Sequence, residues 1–145
     1  MIGVKLSILV PVDFSPTSLK ALREGRRLAD RMGASLTLLH VRPISDVRAA
    51  IAEGREDLLK GPSRSLAAAM KSHYAVRLAA LVARSGALES RLVSGRASRE
   101  ILRAARGFDL VVMGRTGRGG ISGLLGGTTR KVLAAGPVPV VIVPA

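Results

Sequence analysis

The sequence predicts an α/β domain, an open and twisted parallel sheet of five strands with helices on both faces. Three observations predict it. Strand-like apolar runs alternate strictly with helical stretches, and that alternation belongs to parallel sheets joined by crossover helices. The strand runs are nearly continuous in apolar residues, as strands buried on both faces are. A glycine-rich stretch directly follows the apolar run DLVVM, at the kind of strand end where such sheets bind ligands. The 145 residues fit one domain, 1–145, large enough to form a core without disulfide or metal staples.

Each element has its own signal. Leu6 to Val12 (LSILVPV) is a short apolar run suited to a buried strand. Ser15 then offers a helix N-cap and Pro16 a first-turn proline. Leu19, Leu22, Ala29 and Met32 recur at helical spacing, and Gly33 suits the position just past the helix. Leu36 to Val41 (LTLLHV) is the second strand. Residues 42–62, with Pro43, Gly54, Gly61 and Pro62, read as a mobile connection. Alanine-rich residues 64–84 read as a long helix ending at Gly86. Leu88 to Val93 is a weaker third strand. Ala97 or Ser98 opens a helix running through Ile101, Leu102 and Ala105 to Gly107. Leu110 to Met113 is the fourth strand, a last helix spans about Thr128 to Ala135, and Val138 to Val143 is the fifth strand.

Composition narrows the function. There is no cysteine, so no disulfide or thiolate chemistry, which fits a reducing compartment. The opening residues read as a strand rather than a signal peptide. No apolar run approaches the ~20 residues that cross a bilayer. A cytoplasmic protein with no membrane partner is expected. The net charge is +13, from 23 basic and 10 acidic side chains, and favours anionic partners without choosing among them. The aromatics are only Phe14, Tyr74 and Phe108. That argues against single-strand nucleic-acid readout, which uses aromatic stacking platforms.

The glycine stretch is MGRTGRGGISGLLGGTT, residues 113–129. It lies between a strand end and a helix start, where unpaired backbone N–H groups favour phosphate. Glycine lets the backbone approach the phosphate oxygens and take positive φ. Thr128 would offer a hydroxyl in the first turn, and Arg115 and Arg118 add charge. The same stretch also reads as a lid or turn without a ligand. It lacks GxxxxGK[ST], so it is not a P-loop. The GxGxxG fingerprint belongs after the first strand of its unit, and DFSPTS stands there instead.

The spacing G-x2-G-x9-G-[ST], at Gly114, Gly117, Gly127 and Thr128, resembles the nucleotide-binding signature of the universal stress protein family. ILVPVDFSPTSLKALREGRRLA, LTLLHV, GRASREILRAARGFDLVVMGRTG and GPVPVVIV resemble further ordered blocks of that family. The resemblance implies an adenine nucleotide alpha hydrolase-like, Rossmann-like fold, a homodimer, and ATP or another adenine nucleotide as ligand. Mg²⁺ would arrive with the nucleotide. It implies Asp13 on the nucleoside, Pro11 and Val12 along the adenine with Val41 opposite, and Gly114 and Gly117 under ribose and phosphates. Gly127 and Thr128 would hold phosphates, beside Met113 and Thr129. Asp13 could equally cap the following helix. The chain departs from the family pattern in its extra glycines at 119, 120, 123 and 126 and in Thr129, where an apolar residue is usual.

Catalysis has little support in the sequence. Hydrolysis needs a base or water-positioning group near the γ-phosphate, and only Asp13 is acidic near the proposed pocket. His40 ends the second strand and reads as packed structure, and His73 as a solvent-facing helical residue. Asp109 reads as a turn or helix-end residue. The expected function is an ATP-binding regulatory or stress-response module with slow or no hydrolysis, acting through an unidentified protein partner. The homodimer is expected to form through strand 138–143. The alternative is a basic nucleic-acid-associated protein using the loop as a phosphate clamp.

Overall fold

The computed structural model describes residues 3–43, 63–117 and 124–145. The expected connection therefore lies, from residue 44 onward, outside the described residues, as does Arg118. The elements are β1 (Ser7–Pro11), α1 (Pro16–Met32), β2 (Ser35–Pro43), α2 (Ser63–Ser85), β3 (Glu89–Gly95), α3 (Ala97–Ala105), β4 (Leu110–Gly114), α4 (Gly127–Ala135) and β5 (Val140–Val143). All strand pairs are parallel, in the order β3-β2-β1-β4-β5. The predicted five-stranded parallel α/β fold is present.

Alternation along each strand feeds two cores. Ile8, Val10, Leu36, Leu38 and Val112 pack with α1 and with Leu78 of α2 on one face. Leu9, Leu39, Val111 and Met113 pack with Ile101 of α3 and Val132 of α4 on the other. Strands covered on both faces leave little room for polar side chains, which is why their sequences read as apolar runs.

The caps of α1 follow the sequence. Ser15 Oγ accepts from Ser18 N at 3.2 Å, and Pro16 occupies the first turn. Gly33 is left-handed at φ 64, and Ala34 N donates to Ala29 O at 2.9 Å. Gly86 ends α2 in the same way, at φ 68. The buried face of α1 differs from the expected one. It is formed by Ser18, Ala21, Leu22, Gly25 and Ala29, whereas Met32 is 43% exposed. The reason is Gly25, where an added Cβ would stand 2.8 Å from Val10 Cγ2. Small residues on this face bring the helix axis close to the sheet, and Met32 lies past the contact.

Strand ends also move, three of them for a visible reason. β2 reaches Pro43 and β3 reaches Gly95 because the two pair in register over that whole length. β5 begins only at Val140. Pro137 and Pro139 lack the donors that a ladder needs, and the carbonyl of Pro139 serves instead as acceptor for Val111 N at 3.0 Å.

Candidate functional site

The order β3-β2-β1-β4-β5 reverses direction between β1 and β4, and ligands of such sheets bind beyond the strand carboxyl ends at that reversal. Here the two strands also part. β1 pairs with β2 through Pro11, but its register with β4 covers only Ile8–Leu110 and Leu9–Val111. Pro11 has no N–H, and Val12 N turns away to Leu39 O at 2.8 Å. A cavity of about 440 Å³ opens over this fork.

The cavity gathers residues from seven elements and the loops that follow them. Pro11, Val12 and Asp13 come from the end of β1, and Leu39, His40 and Val41 from β2. Met113, Gly114, Thr116 and Gly117 follow β4. Gly126 to Thr129 supply the start of α4. Ten of the expected site residues thus meet around one space: Pro11, Val12, Asp13, Val41, Met113, Gly114, Gly117, Gly127, Thr128 and Thr129. Arg115 does not line it. Its backbone N–H donates to Val143 O at 2.9 Å and its carbonyl accepts from Gly126 N at 2.9 Å. The two ends of the glycine loop are therefore tied to each other and to β5.

The helix start faces this space unshielded by a cap. Gly126 occupies the N-cap position and offers no side chain. The first N–H groups of a helix have no intrahelical acceptors, so those of α4 are available to an anion. Thr129 is buried, and its Oγ1 donates to Gly114 O at 2.9 Å. This bond satisfies the hydroxyl inside the core. Thr128 is half-buried at the cavity wall.

The loop glycines have different physical reasons. Among the described residues, positive-φ glycines are Gly33, Gly86 and Gly95, none of them in this loop. The expectation that the loop uses positive φ is corrected for its described glycines: close approach, not handedness, is what Gly114 and Gly117 provide. A Cβ on Gly114 would meet Thr17 Cγ2 at 2.7 Å and its backbone at 3.1 Å, so this glycine lets α1 pack on β4. A Cβ on Gly117 would stand 2.5 Å from Asp13 Oδ2. At Gly127 a Cβ would meet nothing within 4 Å.

Asp13 does not itself cap α1, a place that Ser15 takes, but stands two residues before that cap. Its Oδ1 accepts from Ser15 N at 3.0 Å, while its own N–H donates to Ser18 Oγ at 3.2 Å. It thereby fixes the turn that presents Ser15 as the cap of α1. The same carboxylate lines the cavity and faces Gly117. Phe14, next in the chain, has φ 63, a conformation costing a bulky residue about 1–3 kcal/mol.

Sequence reasoning missed part of the wall. His40 is buried, its Nδ1 lies 2.7 Å from Val12 O, and it also lines the cavity. Tyr74 of α2 and Ala97 and Ile101 of α3 complete the opposite walls. Helical periodicity could mark these residues as inward-facing, but not which cavity they would meet. His73 is exposed, as expected. Asp109 sits at the other end of the sheet, where its Oδ2 accepts from Ser7 N at 2.8 Å and Ser7 Oγ at 3.1 Å. Among the described residues no group of three or more His, Asp or Glu side chains could hold a metal ion. No helix there is long and apolar enough to cross a membrane.

The universal stress protein family model matches residues 6–144 of this sequence. Among solved structures, the fold is similar to that of MJ0577, the subject of a structure-based assignment of biochemical function. The TM-score is 0.78 at 23% identity, over 97% of this chain and 96% of that one. UspA from Lactobacillus plantarum matches with a TM-score of 0.68 at 24% identity, over 97% and 99% of the two chains. A universal stress protein solved in complex with cAMP matches at 0.60 and 22% identity, over 97% and 98%. At these identities the likeness is one of fold.

Proposed function

The chain belongs to the universal stress protein family, and we propose that it is an ATP-binding regulatory or stress-response module that hydrolyses the nucleotide slowly or not at all. The observation that carries this reading is the pairing of an uncapped helix start at Gly126–Gly127 with open space above Gly127, over the β1–β4 fork. Phosphate there would accept from the N–H groups of α4 and from Thr128, with Gly117 allowing close approach. A structural relative solved with cAMP makes cyclic adenine nucleotide the second ligand to test.

The residues fit a nucleotide better than a catalytic metal centre. Asp13 is the carboxylate in the cavity lining, and one of its oxygens is engaged by Ser15 N. Among the described residues no other carboxylate lines the cavity, and one that holds a turn is a poor water-activating base, which supports slow turnover at most. Mg²⁺ would come with the phosphates and keep mainly water and phosphate ligands.

Calorimetric titration tests the reading. ATP should bind and be preferred over GTP, because the base end is bounded by the backbone edges of Pro11 to Asp13 and by Val41. Equal affinity for the two removes the adenine assignment. The charge of +13 supports a second reading, a clamp on nucleic-acid phosphates. Duplex binding that falls steeply with salt, without ATP binding, selects it.

A further inference from the structure

The protein has two phenylalanines, one tyrosine and no tryptophan. Two of these three rings meet at the lip of the cavity, around a buried histidine. The Phe14 and His40 centroids are 4.8 Å apart, those of His40 and Tyr74 also 4.8 Å, and those of Phe14 and Tyr74 6.2 Å. Arg77 closes the cluster from outside, its guanidinium carbon 3.9 Å from the Phe14 ring centroid. Phe14 enters the cluster from a left-handed backbone position, φ 63. Tyr74 and His40 both line the cavity.

The position of this cluster matches one end of a nucleotide. Phosphates at the start of α4 lie over β4, whereas His40 and Val41 belong to β2, two strands away. Two strand spacings are about 10 Å, comparable to the distance from the phosphate chain to the base of an extended nucleotide. At that far end the wall on the α3 side is aliphatic, with Val41 and Ile101, and the wall on the α2 side is aromatic.

We infer that Tyr74 is a base-recognition residue, its ring forming the aromatic wall against which the nucleobase packs. This rests on the adenine-nucleotide reading of the cavity. A ring stacked near-parallel to Phe14 at 18°, tilted at 35° to His40 and met edge-on by His73 is held in place, and loses little freedom when a base packs on it. Docking of α2 on the core already has Leu78, fully buried, with Leu81 and Val82 packed beside it. These aliphatic residues dock the helix, and the ring at 74 makes its contacts with Phe14 and His40 at the cavity instead.

Tyr74 is the one tyrosine, so its ring protons form a single tyrosine spin system by NMR. Titration with ATP should shift these resonances through the adenine ring current, and inorganic triphosphate should leave them nearly in place. By calorimetry, Tyr74→Leu should bind ATP roughly 5- to 100-fold more weakly and inorganic triphosphate unchanged. Tyr74→Phe should bind ATP within about twofold of the parent. If the parent binds ATP but the tyrosine resonances do not move, Tyr74 is not at the base, whatever the variants do. Equal ATP binding by folded Tyr74→Leu overturns the inference in the same way and leaves the cavity reading standing. Absence of ATP binding by the parent overturns both.

Discussion

Thr129 Oγ1 donates a 2.9 Å hydrogen bond to the carbonyl oxygen of Gly114, fastening the first turn of α4 to the end of β4. The two threonines of the loop are thereby separated in role. Thr129→Val keeps the side-chain shape but removes the donor, and should lower stability by about 1–3 kcal/mol. Thr128→Ala should leave the melting temperature nearly unchanged and weaken ATP binding by ~1.5–3 kcal/mol, roughly ten- to a hundredfold. Thermal melting and calorimetry on both variants check this. The reverse pattern assigns the phosphate contact to Thr129.

The glycines should separate in the same manner. Gly114→Val must displace Thr17 backbone atoms and should destabilise the fold by about 1–3 kcal/mol, as overpacking does. Gly117→Val pushes on the Asp13 carboxylate and should damage the site. Gly127→Val enters open space, so the protein should melt normally and yet lose at least tenfold in ATP affinity. Gly127→Val with parent-like affinity would show that phosphate does not approach there.

The general positive charge should matter less than the cradle. Arg118 lies outside the described residues, and its expectation comes from the sequence. Arg118→Ala removes a charge that solvent screens and should cost under ~1 kcal/mol of ATP binding. If it abolishes binding while folded Gly127→Val and Thr128→Ala bind normally, the glycine stretch is a lid instead.

Assembly can be tested at β5. It is an edge strand of four residues, with Val141 exposed. Unpaired apolar edges invite partners, and Pro137, Pro139 and Pro144 limit how far a ladder could run. Light scattering at micromolar concentration should find a dimer, and Val141→Asp should shift it to monomer. A parent monomer at that concentration removes the proposal.

The sequence by itself determined the element order, the caps of α1 and the parallel sheet. These depend on local chemistry: Ser15-Pro16 can start a helix and Gly33 can end one whatever surrounds them, and doubly buried strands must be apolar throughout. The glycine spacing also marked the loop as a phosphate site candidate. Tertiary structure alone decided what each glycine is for. Gly25 lies in a helix where glycine is locally unfavourable, and only the 2.8 Å approach to Val10 explains it. Gly114 and Gly127 look alike in the loop, but one is filled by Thr17 and the other faces open space. Nothing local assigned His40 and Tyr74 to the cavity, because α2 brings Tyr74 there from a distant part of the chain. Which side chains meet across the β1–β4 fork is set by packing between elements, and no pattern within a single element encodes it.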